Sequence, residues 1–364
     1  MLLALPSVVT EYWQQQDKQQ NSELSADERI ARAQTLLTAA QGSNYADGYG
    51  QAEALLLPLA TTMTLMPAQA AYLLAYIKQH NHEFSLAREL LNHVLAAQPH
   101  HLGALMQRAQ INLVTADYAA ARGDCATLGA IVSAAQATSC LAQVAAVTGQ
   151  AEQAYAAVTQ LLANPVLRNA AERFELQLTA ATVAEQLGKD EAAEGFYIAA
   201  LAQQADSGFI LQHLADLYLR TGQPQAALSL LRGVPVDMRS LEQEVMLLQA
   251  LQATANQADA AQLQQQLVGK FSEATARGGN GSRANDTPDK ELAAFALLQG
   301  DAGRALAAAQ RNWQAQKESG DLLLLTKAAA LADDTGVLRD IRQWQQTTGL
   351  QDRRLERLLQ EAGV

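Results

Sequence analysis

The stretch LADLYLRTGQPQAALSLL, residues 214–231, decides the fold. Each half places Leu and Ala three or four residues apart, which is the spacing of an apolar stripe along a helix. Gly222 separates the halves, and glycine is favoured where a helix ends in a left-handed backbone conformation. The stretch therefore predicts two helices joined by a tight turn.

Two earlier stretches have the same layout, AATVAEQLGKDEAAEGFYIAAL at 180–201 and CLAQVAAVTGQAEQAYAAVTQLL at 140–162. Their turn glycines, Gly188 and Gly149, precede Gly222 at intervals of about 34 to 39 residues. Alanine recurs around each turn because two helices approach closely only where side chains are small. This recurrence indicates a repeat array in which neighbouring helix pairs share one core.

At these positions the sequence resembles the tetratricopeptide repeat (TPR) family. In the unit that begins at Gly208, the key positions of the family are Leu214, Ala215, Tyr218, Gly222, Ala227 and Leu231. Units that begin at Ala68, Leu102 and Phe174, and one near Asp286, carry related patterns. The resemblance implies an all-α fold, a TPR-like α-solenoid in which antiparallel helix pairs form a right-handed superhelix.

The repeat register predicts five segments along the chain. Residues 1–25 form an N-terminal segment that resembles the remnant of a signal peptide, and residues 26–67 form an irregular helix pair. TPR-like repeats cover 68–271. A flexible loop rich in Gly, Ser, Asn and Asp covers 272–291. The C-terminal repeats and a capping helix cover 292–364.

The charge of the chain bears on its partners. The net charge is −11, so the average field repels polyanions and disfavours nucleic acid as a partner. The clustered basic residues near the end are expected to form the solvated face of terminal helices. They are Arg339, Arg342, Arg353, Arg354 and Arg357. No apolar run reaches the length of a membrane-spanning helix, so no span is expected.

The only two cysteines, Cys125 and Cys140, fall in consecutive helices of the repeat register. An antiparallel pair of helices around the intervening turn would bring them to similar heights, so we expect a disulfide. Two reduced core thiols are the alternative. A redox site is disfavoured because the CxxC spacing is missing, and a zinc site because no third ligand lies nearby.

The compartment follows from the same cysteines. A disulfide indicates an oxidising environment. The first residues, MLLALPSVVT, resemble the apolar centre of a secretory signal, although they lack a basic n-region. Together these features favour an exported, periplasmic protein, and a cytoplasmic protein is the alternative if the thiols are reduced.

Chemistry-bearing motifs are sparse. Five of the six histidines lie in one unit, at His80, His82, His93, His100 and His101. A helix of about 25 Å separates the first two from the last two, so at most a pair could share a metal ion. Neither GxSxG nor HExxH occurs, and GGNGS at 278–282 lacks the spacing of a phosphate-binding loop. We therefore expect no enzymatic activity and no cofactor.

In the TPR family, the first helix of each unit lines a groove that holds a peptide or a partner protein. The residues of this chain at those positions include Tyr72, Tyr76, Gln79, Met106, Gln110, Gln143, Leu178, Thr182, Gln212 and Asp216, and also Glu185 and Arg220. The set is rich in Gln and lacks a cluster of cations. It favours a neutral, extended peptide over an acidic C-terminus.

The resulting hypothesis is a non-enzymatic scaffold that binds a peptide or partner protein in its groove. Two alternatives belong to other classes of function. One is an accessory protein for metal or nutrient handling, suggested by the histidines alone. The other is a subunit that recruits substrates for a separate envelope enzyme. The sequence does not predict the oligomeric state.

Overall fold

The computed structural model describes residues 15, 21, 23–42, 47–60, 65–278 and 288–364, and the structural statements below concern these residues. Within them the regular secondary structure is helical. The α-helices are α1 (Ala26–Gly42), α2 (Asp47–Leu56), α3 (Ala68–His80), α4 (Phe84–Ala97), α5 (Leu102–Val114), α6 (Tyr118–Leu128), α7 (Ala134–Val147), α8 (Ala151–Leu162), α9 (Ala170–Gln186), α10 (Asp190–Leu201), α11 (Gly208–Arg220), α12 (Pro224–Gly233), α13 (Leu241–Ala253), α14 (Gln257–Gly278), α15 (Asp289–Leu298), α16 (Ala302–Ala315), α17 (Ser319–Leu331), α18 (Thr335–Thr348) and α19 (Arg353–Glu361).

Helices pack in sequential pairs, namely α1 with α2, α3 with α4, α7 with α8, α9 with α10, α11 with α12, α15 with α16, and α17 with α18. Short turns connect the two helices of a pair. The first helix of one pair also packs on the first helix of the next, as α7 does on α9 and α11 does on α13. The predicted all-α class and the TPR-like arrangement of helix pairs are confirmed.

The turns inside the pairs explain why glycine recurs. Gly222 has a φ of 75°, in the left-handed region that a Cβ disfavours. Other pairs make the same turn without glycine, since Ala116, Ala255 and Asp333 have φ values of 61°, 56° and 52°. The turn conformation is therefore common to the repeats even where its sequence marker is missing.

Replacing Ala116 by Gly should stabilise the fold. The substitution relieves the left-handed strain of a residue with a Cβ, and we expect the free energy of unfolding to rise by about 0.5–1 kcal/mol. Urea unfolding measures this change. The matched control is Ala126→Gly on the exposed side of α6, which should lower stability by about 1 kcal/mol. A loss of stability in both variants would contradict the inference that the backbone at Ala116 is strained.

The chain divides into two compact units. Unit 1 comprises residues 1–111 and 274–287, and unit 2 comprises residues 112–273 and 288–364. In unit 2, alanines such as Ala293, Ala305 and Ala328 are fully buried among leucines, which allows the helices to approach closely. The five predicted segments stay a prediction.

Both ends of the predicted loop at 272–291 are helical. Helix α14 continues to Gly278, and α15 begins at Asp289. The residues between, 279–287, lie outside the described part of the chain, as does nearly all of the predicted N-terminal segment. None of the helices in the described ranges combines the length and apolarity needed to cross a bilayer.

A disulfide joins Cys125 in α6 to Cys140 in α7, with their Cα atoms 5.5 Å apart. Cys125 is buried, and the bond connects α6 to α7, the next helix along the chain. The structure thus contains the predicted disulfide between consecutive helices.

Candidate functional site

Helix α3 presents two different faces. Residues such as Leu74 and Lys78 are buried on the side that faces the core of unit 1. Tyr72, Tyr76 and Gln79 follow one another at four- and three-residue spacing, so they share another face of the helix. All three side chains are partly exposed. The sequence-predicted residues of α3 therefore form one continuous stripe.

Helix α2 adds a third tyrosine to this stripe. The ring of Tyr49 lies 6.3 Å from that of Tyr76 and stacks on the His80 imidazole at 3.7 Å, with the two planes nearly parallel. Burial, together with the neighbouring Tyr76, raises the pKa of Tyr49. Burial, and then the proximity of His82, lowers the pKa of His80. The Tyr49 phenol and the His80 imidazole are therefore uncharged at neutral pH.

Helix α5 completes the surface through a glycine. A Cβ at Gly103 would overlap the Tyr72 hydroxyl, so only glycine lets the Tyr72 ring lie against the start of α5. His101 packs against the same ring at 4.9 Å, and its Nδ1 accepts a hydrogen bond from the Ala104 backbone N–H at 3.1 Å. The tyrosine is thus held between helices.

One turn beyond Gly103, Met106 is 44% exposed, and Gln110 is partly exposed a turn further on. We refer to Tyr49, Tyr72, Tyr76, His80, His101 and Met106 as the aromatic face of unit 1. Sequence reasoning assigned Tyr72, Tyr76 and Met106 to a groove, which stays a prediction, and it included neither Tyr49 nor Gly103. The only sequence signal for Gly103 was a glycine in the first turn of a helix.

The remaining predicted groove residues lie in unit 2. They are Gln143 on α7, Leu178 and Thr182 on α9, and Gln212 and Asp216 on α11. Each is partly exposed. They therefore occupy the first helices of three successive pairs, as the repeat register requires.

Glu185 and Arg220, which the register also assigns to the groove, belong to a charged cluster. The Glu185 carboxylate is 3% exposed, accepts a hydrogen bond from the Tyr197 hydroxyl at 3.0 Å, and receives one from Arg354 at 2.7 Å. His213 Nδ1 lies 3.4 Å from it, and an Arg220 nitrogen lies 3.6 Å from it. The prediction that Arg354 belongs to a solvated face is wrong, since Glu185 and Asp352 hold it in a mostly buried position.

This cluster fixes the ionisation of Glu185. Burial alone would raise the pKa of its carboxyl. The hydrogen bond with His213 and the charges of Arg354, His213 and Arg220 outweigh burial and hold the pKa at about 2. Glu185 is therefore an anion at every pH at which the protein would normally work.

Lowering the pH should destabilise unit 2, because it protonates Glu185. The pKa of Glu185 lies below its ordinary value of 4.5, so the stabilisation is complete above pH 4.5 and is lost as the pH falls toward 2. We expect the urea midpoint to fall across this interval more steeply in the wild type than in Glu185→Gln, whose side chain does not titrate. Parallel pH profiles for the two proteins would contradict this.

A second charged cluster lies on α15 and α17 of the same unit. Lys290 is 3.1 Å from Glu242. Burial, with neighbouring carboxylates adding to it, raises the pKa values of Glu291 and Glu318. Burial also raises that of Asp321, although Lys290 opposes it. Two cations pair with carboxylates here, Lys290 with Glu242 and Arg311 with Asp289 at the start of α15.

The histidines have aromatic and backbone neighbours. His80 stacks on Tyr49, the His82 ring lies 5.5 Å from Phe84, and His93 is 2.9 Å from the carbonyl oxygen of Met66. Across the described residues, no group of three or more His, Cys, Asp and Glu side chains is arranged to hold a metal ion. The structure gives no support to the metal-handling alternative.

No family model matches the sequence, and no curated protein matches it. Solved structures with a similar fold include PilW, a widely conserved type IV pilus biogenesis factor (17% identity, TM-score 0.44, 56% of this chain and 93% of that one). A tetratricopeptide repeat protein from Parabacteroides merdae is 13% identical, with a TM-score of 0.41 over 82% of this chain and 99% of that one. The Rap protein complexed with competence and sporulation factor is 12% identical, with a TM-score of 0.46 over 98% of both chains. At these scores, no partner or activity is carried over to this chain.

Proposed function

We propose that this chain is a non-enzymatic interaction scaffold and that the aromatic face of unit 1 binds an extended segment of a partner protein. The observation that carries the proposal is the set of partly exposed, uncharged side chains at Tyr72, Tyr76 and Met106. Neighbouring rings and Gly103 hold the two tyrosines in place, so the surface is ordered before a ligand arrives.

The chemistry of this face suits a neutral peptide. Tyrosine offers a large contact area and loses little conformational freedom on binding, because it has only two side-chain torsions. Methionine adapts its shape to an apolar side chain of the ligand. Gln79 and Gln110 can donate to and accept from a peptide backbone. Gln143, Leu178, Thr182, Gln212 and Asp216 are proposed to form a corresponding surface on unit 2.

Affinity measurements on variants test the proposal. Once a binding partner is purified, Tyr72→Ala and Tyr76→Ala should each weaken binding at least tenfold, because central aromatic anchors carry most of the energy of an interface. Val166→Ala is the control, since Val166 is 79% exposed on unit 2. Retained melting temperatures would show that the variants are folded. Unchanged affinity in both tyrosine variants would overturn the proposal that the aromatic face binds the partner.

We further propose that the protein is exported, and that its compartment is the periplasm. The Cys125–Cys140 disulfide supports this, because such bonds persist in oxidising compartments. Thiol counting on protein quenched with acid in its native host tests the proposal. Two free thiols before reduction would place the protein in a reducing compartment, whereas none before reduction and two after it is the expected result.

A further inference from the structure

A short segment near the C-terminus, residues 349–354, lies against the ends of α7 and α9 and the start of α8 in unit 2. We call it the C-terminal strap. The side-chain oxygen of Gln351 accepts a hydrogen bond from the Ala151 N–H at 3.0 Å. The Gln186 amide nitrogen donates to the backbone oxygen of Gln351 at 2.9 Å and to that of Ala146 at 2.7 Å. The strap is thus bound as an extended peptide would be, through its backbone and one amide side chain.

Two turn glycines make the close approach possible. Gly149 and Gly349 both have positive φ angles, 82° and 73°. A Cβ at Gly149 would lie 3.2 Å from the Gly349 oxygen, and a Cβ at Gly349 would lie 3.4 Å from the Gly149 Cα. The turn after α7 and the turn after α18 therefore meet backbone to backbone, about 200 residues apart in sequence.

At the other end of the strap, the Arg354 guanidinium lies beside carboxylates. Arg354 donates to Glu185 at 2.7 Å and to Asp352 at 2.7 Å. Burial would lower the pKa of Arg354, but the charges of Asp352, Glu185 and Asp216 outweigh burial and raise it. Glu185 and Asp216 are both residues that the repeat register assigns to the binding groove. The strap therefore contacts Glu185 and Gln186 at the C-terminal end of α9, whereas Leu178 and Thr182 lie nearer the start of that helix.

We propose that the C-terminal strap is an intramolecular ligand, and that the face formed by the ends of α7 and α9 and the start of α8 accepts an extended, arginine-bearing segment of a partner only when the strap has left it. The chemistry of the partner follows from the occupant: a backbone carbonyl for Gln186, a side-chain acceptor for the Ala151 N–H, and a guanidinium for Glu185. This inference concerns unit 2 and does not depend on the aromatic face of unit 1.

The fraction of molecules in which the strap has left the face determines the expected change in peptide affinity. If the face is free in only a small fraction of molecules, the apparent dissociation constant of a competing peptide rises in inverse proportion to that fraction. Variants that weaken the strap should therefore bind such a peptide more tightly. Gln351→Ala with Arg354→Gln removes the hydrogen bond of the Gln351 side chain and the two ion pairs of Arg354 with Glu185 and Asp352. Arg339→Gln with Arg357→Gln is the matched control, because both arginines are exposed and lie outside the strap.

Two readouts test the proposal. Hydrogen exchange in a peptide that contains the Ala151 amide should be at least tenfold faster in the strap variant and unchanged in the control. A fluorescent peptide with the sequence of residues 346–357 should bind the strap variant at least tenfold more tightly than the wild type. It should lose that binding when its own Arg354 is replaced by Gln. If the double variant does not fold, Gln351→Ala alone serves, since that side chain is exposed.

Three results would overturn the inference. Unchanged exchange at Ala151 would show that the strap does not protect this face. Faster exchange without peptide binding would show that the uncovered face does not accept the segment. Equal binding of the peptide to the strap variant and the wild type would show that the strap does not compete for the face.

Discussion

Replacing Lys78 by Met should lower the free energy of unfolding by about 3–5 kcal/mol, because it breaks a buried ion pair. Lys78 is fully buried in α3, where its ammonium contacts Glu53, which is 1% exposed, and lies 3.1 Å from Glu83. The variant keeps both carboxylates in this part of unit 1 without the cation between them. Desolvation of an anion that has lost its counter-charge is the cause of the loss. Urea unfolding followed by circular dichroism measures it.

The control for this prediction is an exposed ion pair. Arg232 and Asp259 lie 2.6 Å apart, but their side chains are 48% and 59% exposed. Arg232→Met should therefore change stability by no more than about 1 kcal/mol. Losses of similar size in the two variants would contradict the role assigned to burial at Lys78.

Removing the disulfide is the second change with a large expected effect. The bond closes a loop with a sequence separation of 15, and the chain-entropy model gives about 3 kcal/mol for a loop of this length. The unfolded state of the reduced protein gains that freedom, so the free energy of unfolding should fall by a similar amount. Unfolding in urea with and without reductant, at equal protein concentration, measures the difference.

The double variant Cys125→Ala with Cys140→Ala provides the control. Its stability should be close to that of the reduced protein, and reductant should leave it unchanged. Cys125 is buried, so the loss of its sulfur adds a small cavity cost to the variant. If the wild type is equally stable in its oxidised and reduced forms, the disulfide does not stabilise the fold and the prediction is wrong.

The helix pairs could be predicted from the sequence because their signals are local. The glycine at a turn such as Gly222 reports a left-handed backbone, and the alanines beside it report close helix packing. The same signals were weak near residues 242–270, where Ala255 takes the left-handed turn position without a glycine to mark it. Tertiary packing there fixes a conformation that the residue type does not favour.

The candidate site was predictable only where the repeat register covers the helices that carry it. Tyr72, Tyr76 and Met106 followed from that register, since their positions along α3 and α5 set their face. Tyr49 was missed because it lies on α2, which precedes the first repeat that the sequence marks at Ala68. Arg354 was wrongly assigned to solvent, since its partner Glu185 lies 169 residues away in sequence and leaves no local pattern.

Site-specific photo-crosslinking in the native host is the measurement that tests the central claim most directly. A photoreactive phenylalanine analogue at position 76 would lie on the aromatic face, and one at position 166 would lie on an exposed surface of unit 2. We predict one recurring protein adduct from position 76 that position 166 does not give, and that is lost when Tyr72→Ala is added. The same adducts from both positions, or none from position 76, would contradict a partner-binding role for the aromatic face.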